Sequence, residues 1–164
     1  MAAMHDDALP RPIDRWFDSY SADHRNPLNV RIHTIAVPAI LWSVIALLWC
    51  IPVPVDGWFK PGVCAAFGMV LASMFYFRAS RVLGFGMLAM FVAMGAACWW
   101  IASASGMRTL LWAAIAVFVV AWIAQFIGHK YEGRKPSFLT DLTYLLIGPA
   151  WVLAKGLRKL GIAW

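Results

Sequence analysis

The most informative pattern along the chain is a set of four long runs without a charged residue. The runs cover residues 32–55, 61–77, 82–107 and 109–129. A helix needs about 20 apolar residues to cross a hydrocarbon core about 30 Å thick, and none of the runs alternates as barrel strands do. Because only helices or closed barrels satisfy backbone polar groups in lipid, the pattern predicts an all-α polytopic membrane protein with four transmembrane helices.

The N-terminal part of the chain has the pattern of a helix that lies at the membrane surface. Its apolar side chains recur at the i, i+3, i+4 and i+7 spacing of an amphipathic helix. They are Ile13, Trp16, Phe17 and Tyr20. The spacing predicts an interfacial helix over about 13–23, after a disordered tail at 1–12. Asn26 and Pro27 are then typical of a helix start, where asparagine caps free N–H groups and proline needs none.

The C-terminal part carries a shorter apolar stretch. Residues 142–154 have no charge, but they are too few for a span and are interrupted at Gly148 and Pro149. We therefore predict a re-entrant or interfacial helix over about 138–154. The four spans are placed at about 34–55, 61–77, 83–105 and 109–128, within a single helical membrane domain that covers 13–164.

Composition agrees with the membrane class, and charge predicts an orientation. Hydrophobic residues make up 62% of the chain and charged residues 13%, against about 45–50% and about 25% in soluble domains. All lysines and arginines except Lys60 and Arg108 fall on one side of the predicted membrane. The positive-inside rule then places both termini in the cytoplasm, in a bacterial inner membrane or a eukaryotic ER membrane. Headgroups of anionic membrane lipid account for the net charge of +6, so no nucleic-acid partner is expected.

Three histidines lie where the apolar runs meet polar sequence on the predicted cytoplasmic side. They are His24, His33 and His129. Imidazole is the commonest transition-metal ligand among side chains, and Asn29 and Gln125 each lie four residues before one of them, on the same helical face. The pattern predicts a metal site in which the two amides orient the rings. It leaves iron, zinc and manganese open.

Other interpretations of the polar residues stay open at this point. The histidines can be structural groups in a non-enzymatic protein, a small transporter subunit or scaffold, or two of them can ligate haem. Arg134 and Lys135 are topology signals or hold an acidic headgroup or carboxylate. Glu132, near Lys130, is interpreted as charge balance, as are the two other acidic candidates near the site, Asp23 and Asp141. The sequence lacks the motifs of zinc proteases, serine hydrolases and NTPases.

Two blocks of the chain resemble the signatures of a known family. They are HRNPLNVRIHTIAVP at 24–38 and WIAQFIGHKYEGRKP at 122–136, which continues into SFLTDLTYLLIGPAW. These blocks are similar to those of the membrane 2-hydroxy fatty acid dioxygenases, whose fungal members work in the ER in phytosphingosine breakdown to odd-chain fatty acids. The resemblance covers about residues 16–40 and 119–155. Some fungal members carry a second histidine where this chain has Arg25, so a three-histidine site is expected here.

The resemblance implies iron(II)-dependent α-oxidation, in which a long-chain 2-hydroxy fatty acid and O₂ give the fatty acid one carbon shorter. His24, His33 and His129 would be the catalytic iron ligands, because they fall on the motif histidines. Three imidazoles on one face of an octahedral ion leave three positions, two for the substrate's carboxylate and hydroxyl oxygens and one for O₂. We expect Arg134 or Lys135 to receive the carboxylate, and the acyl tail to stay in the bilayer.

Overall fold

The computed structural model describes residues 11–54, 57, 59–133 and 138–164, and at 138–143 it describes the backbone only. Within these residues the chain forms six α-helices and no strand, which confirms the predicted all-α class. The helices are α1 (Pro12–Ala22), α2 (Pro27–Trp49), α3 (Val63–Ala79), α4 (Arg81–Ser105), α5 (Met107–Glu132) and α6 (Phe138–Lys159). The predicted tail at 1–12 lies almost wholly outside the described residues.

Three of these helices, α2, α4 and α5, are long and apolar enough to cross a membrane. Helix α3 is also apolar, but it has only 17 residues, which make about 25 Å of helix at 1.5 Å per residue. It forms a hairpin with α4 through Ser80, whose hydroxyl accepts a hydrogen bond from the N–H of Leu83 at 3.4 Å. The membrane class is supported by these helices, and the count of four spans stays a prediction.

The helix α2 begins and ends earlier than the predicted span at 34–55. It begins at Pro27 because the Asn26 side chain caps it, accepting from the N–H of Leu28 at 2.9 Å. It ends at Trp49, because the prolines that follow at Pro52 and Pro54 cannot donate to a continuing helix. The early start leaves residues 23–26 as a short connection between α1 and α2.

The apolar stripe of α1 packs against protein. Ile13, Phe17 and Tyr20 are buried, whereas Trp16 is 42% exposed. The partner is α6, since the Tyr20 ring contacts those of Tyr144 and Trp151 at centroid distances of 5.0 and 4.9 Å. A hydrogen bond from Trp151 Nε1 to Ser21 Oγ at 2.9 Å and one between Ser19 Oγ and Tyr144 at 3.1 Å join the same two helices.

The helix α6 runs five residues beyond its predicted end and contains Pro149 in its interior. Proline removes the N–H that would bond Leu145 O and loosens the helix locally. Tyr76 from α3 reaches this segment, where its hydroxyl donates to the carbonyl oxygen of Leu146 at 2.7 Å. Tyr76 is fully buried, and its hydrogen bond attaches α6 to the apolar helix α3. The re-entrant or interfacial placement of α6 stays a prediction.

Candidate metal centre

The three histidines singled out from the sequence converge in the structure. His24, His33 and His129 are 6%, 2% and 8% exposed, and one ring nitrogen from each lies within 4.8 Å of the others. The ring centroids are 4.4 Å apart for His24 and His33, 4.8 Å for His33 and His129, and 5.4 Å for His24 and His129. Three buried imidazoles this close form a donor set for a single cation.

Three different parts of the fold bring these rings together. His24 lies in the connection after α1, His33 in the second turn of α2, and His129 in the last turn of α5. The connection is short because Pro27 starts α2 at once, and α2 and α5 pack along each other. The cluster therefore depends on contacts between segments far apart in the chain.

Main-chain carbonyls orient two of the rings. His24 Nδ1 lies 2.7 Å from the carbonyl oxygen of Tyr20, and His33 Nδ1 lies 3.0 Å from that of Asn29. Because a carbonyl oxygen only accepts, each Nδ1 carries the proton and donates it. Each Nε2 is then left with a lone pair for a metal ion, the arrangement typical of histidine ligands whose other nitrogen is hydrogen-bonded.

The donor set fits a divalent transition metal. His24 Nε2 is buried and has no hydrogen-bond partner among the described residues, which is costly unless another group satisfies its lone pair. Burial lowers the pKa of His24, so the ring is neutral at neutral pH, as ligation requires. With metal–nitrogen distances near 2.0–2.1 Å, ligands on one face of an octahedral ion are about 3 Å apart. The three ring nitrogens, within 4.8 Å of one another, would therefore move inward when an ion binds.

A glutamate ties the connection carrying His24 to α5. Glu132 accepts hydrogen bonds from the backbone N–H of Arg25 at 2.9 Å and of Asn26 at 3.0 Å, and from Asn29 Nδ2 at 2.8 Å. Charge balance is the role that the sequence predicts for Glu132, and the attachment of the connection was missed. The available signal is the position of Glu132 three residues after His129, on one face of α5.

The two predicted amide partners have different surroundings. Asn29 is fully buried, but it is its main-chain carbonyl that orients His33, while its side chain donates to Glu132. Gln125 lines the cavity beside the histidines, and its role in orienting His129 stays a prediction. Arg134 and Lys135 lie outside the described residues, as does the side chain of Asp141.

A small cavity extends from the histidines towards the middle of the helices. Its volume is about 40 Å³, small beside the roughly 300–1,000 Å³ of pockets that enclose a whole drug-sized ligand. The histidines and Gln125 form its polar part, and Val37, Ile40, Trp122 and Leu145 line it with apolar surface. Val37 and Ile40 follow His33 along α2 by one and two turns, so polarity falls with distance from the cluster.

Comparisons with known proteins show the family of the chain. Residues 11–160 match the family described as 2-hydroxy-palmitic acid dioxygenase Mpo1-like. The chain is 30% identical, over 146 residues, to the 2-hydroxy-palmitic acid dioxygenase MPO1 of Saccharomyces cerevisiae, with 87% of this chain and 78% of the yeast protein covered. No solved structure shows significant similarity to the chain. With the family match spanning most of its length, this chain belongs to the Mpo1-like family.

Proposed function

We propose that the protein is an iron(II)-dependent dioxygenase that converts long-chain 2-hydroxy fatty acids to the fatty acid one carbon shorter. The observation that carries the proposal is the cluster of His24, His33 and His129, buried in an apolar helical protein of the Mpo1-like family. Three imidazole ligands on one face of an octahedral ion leave positions for substrate and O₂, as in facial-triad oxygenases. A histidine cluster without such a task would carry the cost of its unpaired nitrogen.

The reaction balances without a second reductant. A 2-hydroxy acid and one O₂ give the shortened carboxylic acid, carbon dioxide from the former carboxyl group, and one water. The bond between the carboxyl carbon and the hydroxyl-bearing carbon breaks, and the substrate itself supplies the four electrons that reduce O₂.

The protein's own residues position and shield the reacting groups. Bound iron(II) would supply the redox chemistry for O₂. His24 and His33 hold it with rings that are fixed by their bonds to Tyr20 O and Asn29 O. Gln125 lines the cavity beside the histidines, where we propose that its amide orients the ring of His129. We propose Arg134 or Lys135 as the receiver of the carboxylate. The apolar wall of the cavity excludes water from the reacting carbon.

The small cavity limits where the acyl tail can lie. A volume of about 40 Å³ is far too small to enclose a long hydrocarbon chain. Helices α5 and α6 flank the cavity and both pack against α2, yet they scarcely contact each other among the described residues. We therefore propose that the tail passes between α5 and α6, near Trp122 and Leu145, and stays in the bilayer.

The membrane arrangement is part of the same proposal. We propose four spans with both termini in the cytoplasm, in a bacterial inner membrane or the ER membrane. This orientation places the histidine cluster near the cytoplasmic interface, since His33 lies near the start of α2 and His129 near the end of α5. A lipid acid whose head lies at that interface then reaches the iron without leaving the membrane.

Metal analysis followed by an oxygen-uptake assay tests the function. Protein purified in detergent should contain about one iron per chain, consume O₂ with 2-hydroxypalmitate, and release pentadecanoic acid. Hexadecanoic acid, which lacks the hydroxyl group, should give no uptake. Metal-free protein without turnover after iron is added would favour the structural or scaffold interpretation, and an absorption band near the haem Soret position would favour haem.

A further inference from the structure

Of the three histidines, His24 alone lies outside a helix. His33 and His129 are fixed by α2 and α5, which pack along each other, whereas His24 belongs to the connection of residues 23–26. Its ring stacks on Tyr20, but the backbone that carries it needs another attachment to stay beside α5. The hydrogen bonds of Glu132 supply that attachment, since two of them are made to the N–H groups of Arg25 and Asn26.

We propose that Glu132 is a positioning residue that holds His24 within metal-binding distance of His33 and His129. The inference rests on the proposed metal site and deepens it. The carboxylate takes hydrogen bonds from the residue next to His24 and from the cap residue of α2. It also takes one from Asn29 Nδ2 at 2.8 Å. A single side chain at the end of α5 thereby fixes both the His24 backbone and the first turn of α2.

A carboxylate is suited to this place for electrostatic reasons. The N–H groups before and within the first turn of a helix have no partner inside the helix, and the helix dipole favours a negative charge there. Hydrogen bonds from N–H groups to a carboxylate are about twice as strong as those between neutral groups. A glutamine side chain of the same shape has only one acceptor oxygen, whereas both oxygens of Glu132 accept hydrogen bonds. It would therefore lose at least one of these bonds and weaken the others.

The surroundings of Asn29 show how closely this contact is fitted. Gly128 lies against the Asn29 side chain, and a Cβ at position 128 would collide with Asn29 Oδ1.

One hydrogen bond that does not involve Glu132 also joins the connection to α5. It runs from Asn26 Nδ2 to the carbonyl oxygen of Tyr131 at 3.2 Å. This bond would remain in a Glu132 variant, so the connection should stay near α5 while His24 loses its fixed position.

The first test needs no metal. Diethyl pyrocarbonate modifies accessible imidazoles, and mass spectrometry locates the product. In the unaltered protein His24 is buried and should react slowly. In Glu132→Gln it should react at least several-fold faster, while His33 stays protected by α2. Asp18→Asn, at an exposed position on α1, is the matched control and should leave the rate unchanged.

The second test measures the metal site itself, with Co²⁺ as the probe and its visible absorption as the signal. Glu132→Gln should weaken Co²⁺ binding by about 10- to 100-fold, the usual effect of losing a partner outside the ligand shell. Because the proposal assigns the effect to His24, Glu132→Gln should have little further effect in a His24→Ala background, as a double-mutant cycle reveals.

The outcomes separate the two proposals. Unchanged modification of His24 in Glu132→Gln, or an equal loss of Co²⁺ affinity with and without His24, overturns the positioning role. If the unaltered protein binds no metal, the proposed function fails, and the modification rates still decide whether Glu132 positions His24. If Glu132→Gln does not fold, Glu132→Asp takes its place, with intermediate reactivity of His24 expected and an unchanged rate contradicting the proposal.

Discussion

Tyr20 stacks face to face on His24, with ring centroids 4.1 Å apart and planes 13° from parallel, and its main-chain carbonyl accepts the hydrogen bond of the same imidazole. One residue of α1 therefore fixes both the plane of the His24 ring and its tautomer, with the proton on Nδ1. Because Tyr20 also contacts Tyr144 and Trp151 on α6, the position of His24 depends on the packing of α1 against α6.

The Tyr20 ring should matter more than its hydroxyl group. Tyr20→Ala removes the stacked ring from a buried site and should cost about 3–5 kcal/mol of unfolding free energy, together with a loss of metal affinity. Tyr20→Phe keeps the ring and should cost about 1 kcal/mol. Denaturant unfolding in detergent and Co²⁺ titration measure the two effects, and equal losses in both variants would contradict the role of stacking.

Removing a proposed ligand should abolish both metal binding and turnover. His33→Ala is expected to purify without iron and to consume no O₂ with 2-hydroxypalmitate, because two imidazoles hold iron(II) too weakly to retain it through purification. Thr34→Ala is the matched control, since Thr34 is the neighbouring residue, is exposed and donates to Val30 O in its own helix. Full iron content in His33→Ala would refute its assignment as a ligand.

Two glycine substitutions should have opposite effects on stability. Gly128→Ala places a Cβ against Asn29 Oδ1 and 3.5 Å from His33 Cε1, and overpacking of this kind costs about 1–3 kcal/mol. Gly156→Ala, in α6, meets no atom within 4 Å and should raise helix stability by up to about 1 kcal/mol. Thermal unfolding of both variants checks the difference, and a neutral Gly128→Ala would show that α2 and α5 are less closely packed there.

The hydroxyl of Tyr76 should contribute to the attachment of α6. Tyr76→Phe removes the donor to Leu146 O and should cost about 0.5–1.5 kcal/mol, the usual net value of one hydrogen bond. Tyr131→Phe, at a side chain that is 57% exposed, is the control and should be neutral. A loss confined to Tyr76→Phe supports the anchoring role, whereas equal stability of the two variants argues against it.

The sequence predicted the features that depend on local pattern. Segments that avoid water lack charged residues, so the charge-free runs predicted the long apolar helices α2, α4 and α5. His24, His33 and His129 were identified because each lies at the end of such a run. The cap at Asn26 and Pro27 was also predictable, since its chemistry involves neighbouring residues only.

Features that depend on contacts between distant segments were not predictable in this way. The stripe containing Phe17 and Tyr20 shows that α1 has an apolar face, but the pattern is the same whether lipid or α6 covers it. Glu132 has the same local surroundings as any acidic residue next to lysine. Only the approach of α5 to residues 25–29 converts it into an acceptor for three N–H groups.

The order in which the ligands are synthesised has a consequence for assembly. A ribosome completes His24 and His33 long before His129, which lies in the last turn of the last long apolar helix, α5. The proposed iron site therefore cannot form until α5 has emerged from the translocation machinery and inserted. Loading with a redox-active ion would thus be restricted to the fully inserted protein, and a truncated nascent chain would not carry a reactive centre.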